Sequence, residues 1–392
     1  MQRRFRGAVL AVASVVVVAG CSSGGGVAAG DAGAGGPGRG AGGRSPGPAA
    51  SVAVPPAKGT VRVTGTLATG LRTPWGVAVL PGGDLLVGER DTGRIVRVAA
   101  HGGKVTQAGS VPGVAAGGEG GLLGLAVSSS FAADHQVYAY FTTASDNRIA
   151  RLIYDERRDP GNQLGAPDTI FKGIPKGRFH NGGRLAFGPD RMLYATTGET
   201  GDKALAQDKA SPAGKILRMT PDGEPAHGNP EPDSVVYDYG HRNVEGLAWD
   251  SGKRLWASEL GQDTWDELNL VEPGRNYGWP QVEGKRRGGA PVPPGYADPV
   301  LVWKPADASP SGLAYAGGSL WMASLRGERL WRIPLDGTRP AAAPQAFLQG
   351  RYGRLRTVVP AGDGALWLVT SNTDGRGTPH EGDDRILRLE IS

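Results

Sequence analysis

From about Gly59 to Leu389, apolar and polar residues roughly alternate in short runs, separated by turns containing Gly or Asp. A period of two is that of a strand with one buried face, so the runs predict half-buried antiparallel β-strands. A two-strand unit recurs six times. The first copy is Leu85-Leu86-Val87 after the turn Pro81-Gly82-Gly83-Asp84, then Arg94-Ile95-Val96-Arg97-Val98. The second is Val137-Tyr138-Ala139-Tyr140-Phe141, then Arg148-Ile149-Ala150-Arg151-Leu152; the sixth is Ala365-Leu366-Trp367-Leu368-Val369, then Arg385-Ile386-Leu387-Arg388-Leu389. The leading strands are anchored at Leu85, Val137, Leu193, Leu255, Leu320 and Leu366, with intervals of 52, 56, 62, 65 and 46 residues. Those intervals suit a four-stranded blade with variable loops. No amphipathic helical run of about 12 or more residues stands out. The expected fold is all-β, a six-bladed β-propeller; a β-sandwich or two β domains are the alternatives.

The first 56 residues break the pattern. Arg3, Arg4 and Arg6 precede an apolar run from Ala8 to Ala19. The run is too short for a comfortable transmembrane helix and reads as a secretory signal. It ends Val18-Ala19-Gly20-Cys21, similar to a bacterial lipobox, in which Cys21 becomes the lipid-bearing first residue. An ordinary signal peptide or a membrane anchor is the alternative. Residues 22–56 are mostly Gly, Ala, Pro, Ser and Val and read as a flexible tether. The expected organisation is a signal over 1–20, a lipidated tether over 21–56 and one propeller over 57–392. The expected place of work is outside the cytoplasm, lipid-anchored to the bacterial cell membrane.

Composition sharpens this. The chain has 65 glycines in 392 residues, more than double the usual roughly 7%. Twelve lie in residues 22–50 and belong to the tether; most others punctuate short strands. A single cysteine excludes an intrachain disulfide framework. The formal charge is +5, and losing the signal removes three arginines and no acid. The basic balance is therefore largely a targeting feature, and no basic stripe with interleaved aromatics points to nucleic acid.

The six histidines form no H-x-H or H-E-x-x-H pattern, so no standard zinc site is encoded. Gly117-Gly118-Glu119-Gly120-Gly121-Leu122-Leu123-Gly124 has neither the spacing nor the context of a dinucleotide or phosphate loop. Four stretches are too specific for plain turns: Phe179 to Gly183, Tyr239 to Asn243, Trp265 to Asn269 and Tyr352 to Arg356. His180, before a Gly-Gly turn, is placed to accept a proton near neutral pH; a hydrogen-bonded surface-loop histidine is the alternative. Arg354 and Arg356 alternate and so share one strand face, an arrangement suited to a ligand with several carboxylates. Solvent-facing arginines on an outer strand are the alternative.

Together these segments resemble the soluble, pyrroloquinoline-quinone (PQQ)-dependent aldose/glucose dehydrogenases of the glucose/sorbosone dehydrogenase family. The resemblance covers nearly all of residues 63–389. It rests on Pro74-Trp75-Gly76, Gly118 to Gly124, His180 to Phe187, Leu193 to Glu199, Ala213 to Arg218 and Tyr239 to Gly246. Asp266 to Leu270, Gly274 to Pro280, Pro310-Ser311-Gly312 and Tyr352 to Arg356 extend it. Family members are six-bladed propellers, in agreement with the repeat.

The resemblance implies that His180 takes the proton of the sugar C1 hydroxyl while hydride moves to the quinone C5. It implies that Arg242 and Asn243 flank the reactive quinone edge and that Arg354 and Arg356 bind cofactor carboxylates. Arg326 stands where some members have a cofactor-binding lysine. Glu119 stands where several have glutamine, so its carboxylate must be offset by the arginines or by calcium. One Ca2+ is implied at the carbonyls of Gly261 and Gln262, the latter often proline in the family; calcium accepts oxygen ligands of any origin. A second, structural Ca2+ is implied at the Glu267 carboxylate and the Tyr277 carbonyl, although the residue pattern alone leaves Glu267 a surface acid. The partners implied are an aldose, an external electron acceptor such as a quinone or cytochrome, and a lipid anchor; a monomer is the expected state. A non-catalytic propeller that binds sugars or proteins, and a calcium-dependent hydrolase, are the competing classes.

Overall fold

The computed structural model describes residues 54–286 and 288–392. The signal, the lipobox with Cys21 and the tether up to residue 53 lie outside the described residues. The rest is a six-bladed β-propeller. Its six sheets are antiparallel, five with four strands and one with a fifth strand added at its outer edge. The innermost strands, in blade order, are Pro74–Val79, Leu122–Val127, Leu185–Phe187, Val244–Trp249, Pro310–Ala316 and Leu355–Pro360. Each meets the next blade around the axis, that of blade 4 through the second strand of blade 3, Leu193–Thr196, and the sixth returns to the first.

The two-strand unit visible in the sequence is the middle pair of each blade. Leu85–Glu89 and Arg94–Val98, for example, are the second and third strands of blade 1. The leading strands are therefore second strands, and a separate inner strand precedes each one. They are also not half-buried as predicted: all residues of Leu85–Glu89, Leu255–Glu259, Ser319–Ser324 and Leu366–Thr370 are buried. The reason is radial stacking, because each blade is covered on both faces by its neighbours. Six hydrophobic clusters result, one between each pair of adjacent blades. Between blades 4 and 5, for instance, Trp256 and Leu268 meet Leu320 and Ile333.

The ring closes through the chain's first strand. Val61–Ala68 is the outer strand of blade 6 and pairs with Ile386–Ile391, from Val61↔Ile391 to Ala68↔Ile386. Near the axis the inner strands leave no room for side chains. A Cβ on Gly76 would lie 2.2 Å from the Leu123 carbonyl oxygen, and one on Gly246 would lie 2.3 Å from that of Ser311. Glycine there is a packing requirement.

Candidate active site

In an antiparallel blade, the start of the inner strand and the end of the second strand lie at the same end of the ring. His180, Arg242, Asn243 and Arg354 precede inner strands; Gly261, Gln262 and Arg326 follow second strands. All seven, with Glu119 and Arg356, line one cavity of about 440 Å3 at that end. Trp75, Arg90, Glu245, Asp374 and Arg376 line it too. Glu267 and Tyr277 lie elsewhere, buried within blade 4 and its following loop.

His180 adopts a left-handed conformation, φ 57°, fixed from two sides. Its N–H donates to Glu119 Oε2 at 2.8 Å, and the next turn is held by the Gly182 N–H on Asn243 Oδ1 at 2.9 Å. The imidazole Nδ1 meets Glu199 Oε1 at 2.6 Å. A carboxylate accepts only, so this contact assigns a ring proton to Nδ1 and makes Nε2 the nitrogen whose protonation can change. Glu199 is buried beneath the histidine, and its Oε2 has no partner among the described residues. This pair fixes the His180 ring at the cavity wall rather than on a free surface loop.

The opposite wall is cationic. Arg354 and Arg356 are buried, not solvent-facing, and share Asp374 Oδ2 at 2.9 and 3.3 Å. Burial would raise the Asp374 carboxyl, but Arg356 and Arg354 outweigh it and lower its pKa. Arg356 also binds Glu245 Oε2 at 2.9 Å, and Glu245 takes the Ser311 hydroxyl at 2.7 Å. Below them Arg184, buried, lies 4.3 Å from the Trp75 ring centroid and donates to the Glu245 carbonyl at 2.7 Å. Trp75 and these side chains form the floor.

Six arginines and three carboxylates line the cavity, an excess of positive charge that suits a polyanionic ligand. Arg242 spans this wall, with Nη1 on the Leu260 carbonyl at 3.2 Å and its guanidinium 5.6 Å from the Trp279 ring. Burial lowers its pKa against the pull of Glu199 and Glu259, and its Nε is buried without an acceptor among the described residues. An unused, desolvated donor beside a cavity is a group a ligand would satisfy. Arg326 is exposed at the rim and has no side-chain partner among the described residues. The carboxylate of Glu119 is offset by Arg376, whose Nη2 meets Oε1 at 2.6 Å.

Behind Arg242 runs a buried polar chain. Glu259 Oε1 accepts the Arg242 N–H, and its Oε2 accepts His241 Nδ1 at 2.7 Å. His241 Nε2 lies 3.2 Å from Asp238, and its ring stacks on Tyr277 at 4.6 Å. Burial alone would lower this imidazole; Glu259 and Asp238 override it and raise its pKa to about 10. Asn269 bridges Glu259 to Glu267, and the Gly284 N–H donates to Glu267 Oε1 at 2.7 Å. Glu267 is thus a core acid, not a surface one. Burial first, and Glu259 second, push its carboxyl up to about 8, so a cation beside it would relieve the cost of ionising it.

Among the described residues no group of three or more His, Cys, Asp or Glu side chains has metal-binding geometry. A hard cation can also be held by backbone carbonyls, amide oxygens and water beside isolated carboxylates. Gly261 and Gln262 line the cavity, and their carbonyls accept no hydrogen bond from the described residues. Free carbonyls are oxygen ligands that fit a hard cation, and the buried Asp266, whose pKa burial raises to about 6, accepts the Gly261 N–H of the same loop.

Sequence reasoning found His180 and four of the six lining arginines, Arg242, Arg326, Arg354 and Arg356. It gave no role to Trp75, Glu199 or Glu245, although each lies in a quoted motif, and it missed Arg90, Asp374 and Arg376. One signal was present for Asp374: two arginines on one strand face need a countercharge.

Fold and site together define a propeller with an arginine-rich cavity at its channel mouth and an oriented histidine in the wall. The sequence model described as Glucose / Sorbosone dehydrogenase matches residues 71–387, and the chain belongs to that family. A solved structure of the PQQ-bound form of aldose sugar dehydrogenase from Streptomyces coelicolor is 67% identical, covers 86% of this chain and all of that one, and superposes with a TM-score of 0.84. Aldose sugar dehydrogenase YliI of Escherichia coli is 28% identical over 77% of this chain and 88% of its own. Quinoprotein glucose dehydrogenase B of Acinetobacter calcoaceticus is 33% identical over 54% of this chain and half of its own.

Proposed function

We propose that the chain binds PQQ in this cavity and oxidises the C1 hydroxyl of an aldose to the lactone. The observation that carries the reading is the convergence of the His180–Glu199 pair and the arginine cluster on one channel mouth. Arg354, Arg356 and Arg242 would hold the anionic cofactor, with Asn243 keeping the His180 turn in place. Bound PQQ supplies the two-electron acceptor, and calcium on the Gly261 and Gln262 carbonyls supplies Lewis acidity.

His180 Nε2 takes the proton of the C1 hydroxyl as the C1–H bonding pair leaves as hydride, so the carbonyl forms without a charged alkoxide. Glu199 holds the neutral ring in the tautomer that carries its proton on Nδ1, so that Nε2 faces the substrate, and stabilises the imidazolium afterwards. Water is kept from the floor by Trp75, Arg184 and the Glu245–Arg356 pair. Reduced cofactor would pass its electrons to an external quinone or cytochrome. Lipid on Cys21 would keep the domain at the outer face of the membrane, a reading that palmitate labelling of the chain and of Cys21→Ser tests.

The test is reconstitution of the purified chain with calcium and PQQ, followed by dye reduction with a panel of aldoses. Turnover is expected. His180→Ala should bind quinone with unchanged affinity and lose turnover by about 10²-fold or more. Glu199→Gln should lower kcat with little change in KM and should shift the pH profile. Tight quinone binding without turnover on any aldose would instead favour a non-catalytic binding propeller.

A further inference from the structure

The loop from Gly261 to Trp265 has an unusual support. Four consecutive N–H groups, those of Gln262, Asp263, Thr264 and Trp265, donate to the same oxygen, Glu283 Oε1, at 2.8, 3.0, 2.9 and 3.2 Å. Convergent N–H groups make a concave anion seat. Here the seat is filled from within the chain. Gly261 donates its own N–H to Asp266 Oδ1 at 2.9 Å, so the loop's N–H groups from 261 to 265 are all used. The carbonyls of Gly261 and Gln262, two residues that line the cavity, are left without a donor among the described residues.

The turn is tight. A Cβ on Gly261 would lie 1.8 Å from the Trp265 carbonyl oxygen and 2.9 Å from Glu283 Oε1. The next residue, Gly284, packs under the Trp265 ring and donates its N–H to Glu267 Oε1 at 2.7 Å. A mere strut would need one bond to the loop. Four on one oxygen fix the orientation of four successive peptide planes.

We propose that Glu283 is the positioning residue of the cation site: its carboxylate gathers the N–H groups of residues 262–265 and so holds the loop in the shape that leaves the Gly261 and Gln262 carbonyls free as ligands. This rests on the calcium reading above. Through Gly284 the same two-residue segment also touches Glu267, so both candidate cation positions share one anchor. Glu283 itself is not among the residues that line the cavity.

The test uses the full chain, stripped of divalent ions, and calcium alone as the probe. In the wild type, amides 262–265 should be protected from hydrogen exchange although Gln262 and Asp263 are exposed. Unprotected exchange there overturns the proposal without any variant being needed. In Glu283→Gln, which keeps the shape and loses the charge, those amides should exchange at least tenfold faster, and calcium affinity by calorimetry should fall about tenfold or more. Wild-type calcium affinity in Glu283→Gln, with or without faster exchange, overturns the positioning role alone. Calcium binding by neither protein overturns the calcium reading and this proposal with it. If Glu283→Gln does not fold, Gly261→Ala, which pushes a methyl into the same turn, takes its place with the same expected calcium loss.

Discussion

At the scale of single residues, the site is a set of charges held by other charges. His241 is the clearest case. It is wholly buried between Asp238 and Glu259, and those carboxylates raise its pKa to about 10. An unfolded histidine titrates near about 6.5. The folded state therefore holds a proton that the unfolded state releases in between. The resulting stability is fully present below about pH 6.5 and is lost as pH rises through 10. His241→Gln removes the cation and leaves two buried acids without it. The expected cost is roughly 3–5 kcal/mol at neutral pH or below. Urea unfolding across pH 6 to 10.5 reads it: the gap between wild type and variant should shrink at the alkaline end. A gap of equal size at both ends would show that His241 is held uncharged.

At the scale of the element, the sequence made the strands legible and misjudged their environment. The middle pair of each blade stood out because a polar turn and an Arg-Ile-x-Arg-Leu-like strand mark it. The inner strands did not, because they are short, as in Leu185–Phe187, or interrupted by glycine, as in Pro74–Val79 and Val244–Trp249. Their glycines are demanded by neighbouring blades, which local pattern cannot display. Arg354 and Arg356 were legible as a same-face pair, whereas Asp374, 18 and 20 residues away, became their partner only through the blade's turn. The glycine argument can be tested directly. Gly246→Ala places a Cβ 2.2 Å from Ser258 Oγ and 2.3 Å from the Ser311 carbonyl. Overpacking of this kind costs about 1–3 kcal/mol, so its thermal midpoint should fall. Gly65→Ala meets nothing within 4 Å and should stay within about 0.5 kcal/mol of wild type. Equal midpoints for the two variants would remove the packing explanation.

At the scale of the molecule, the cavity depends on the ring being closed, because its walls come from all six blades. Closure joins the two ends of the propeller: Val61–Ala68 covers the edge of Ile386–Ile391, and Val61 and Val63 pack against the cluster between blades 5 and 6. The inner strands fix which side chains point at the mouth, and this outer strand fixes that the first and sixth blades stay adjacent. A sheet edge stripped of its partner is a template for pairing with another chain. Deleting residues 57–68 should therefore lower the thermal midpoint and produce higher oligomers in size-exclusion chromatography. It should do so without altering any residue that lines the cavity. A synthetic peptide spanning 57–70, added in trans, should re-form the edge by strand addition and restore both the monodisperse peak and part of the lost midpoint. A scrambled peptide of the same composition should not. If the truncated chain stays monodisperse with an unchanged midpoint, the blade-to-blade clusters alone hold the ring, and the first strand is dispensable to the site.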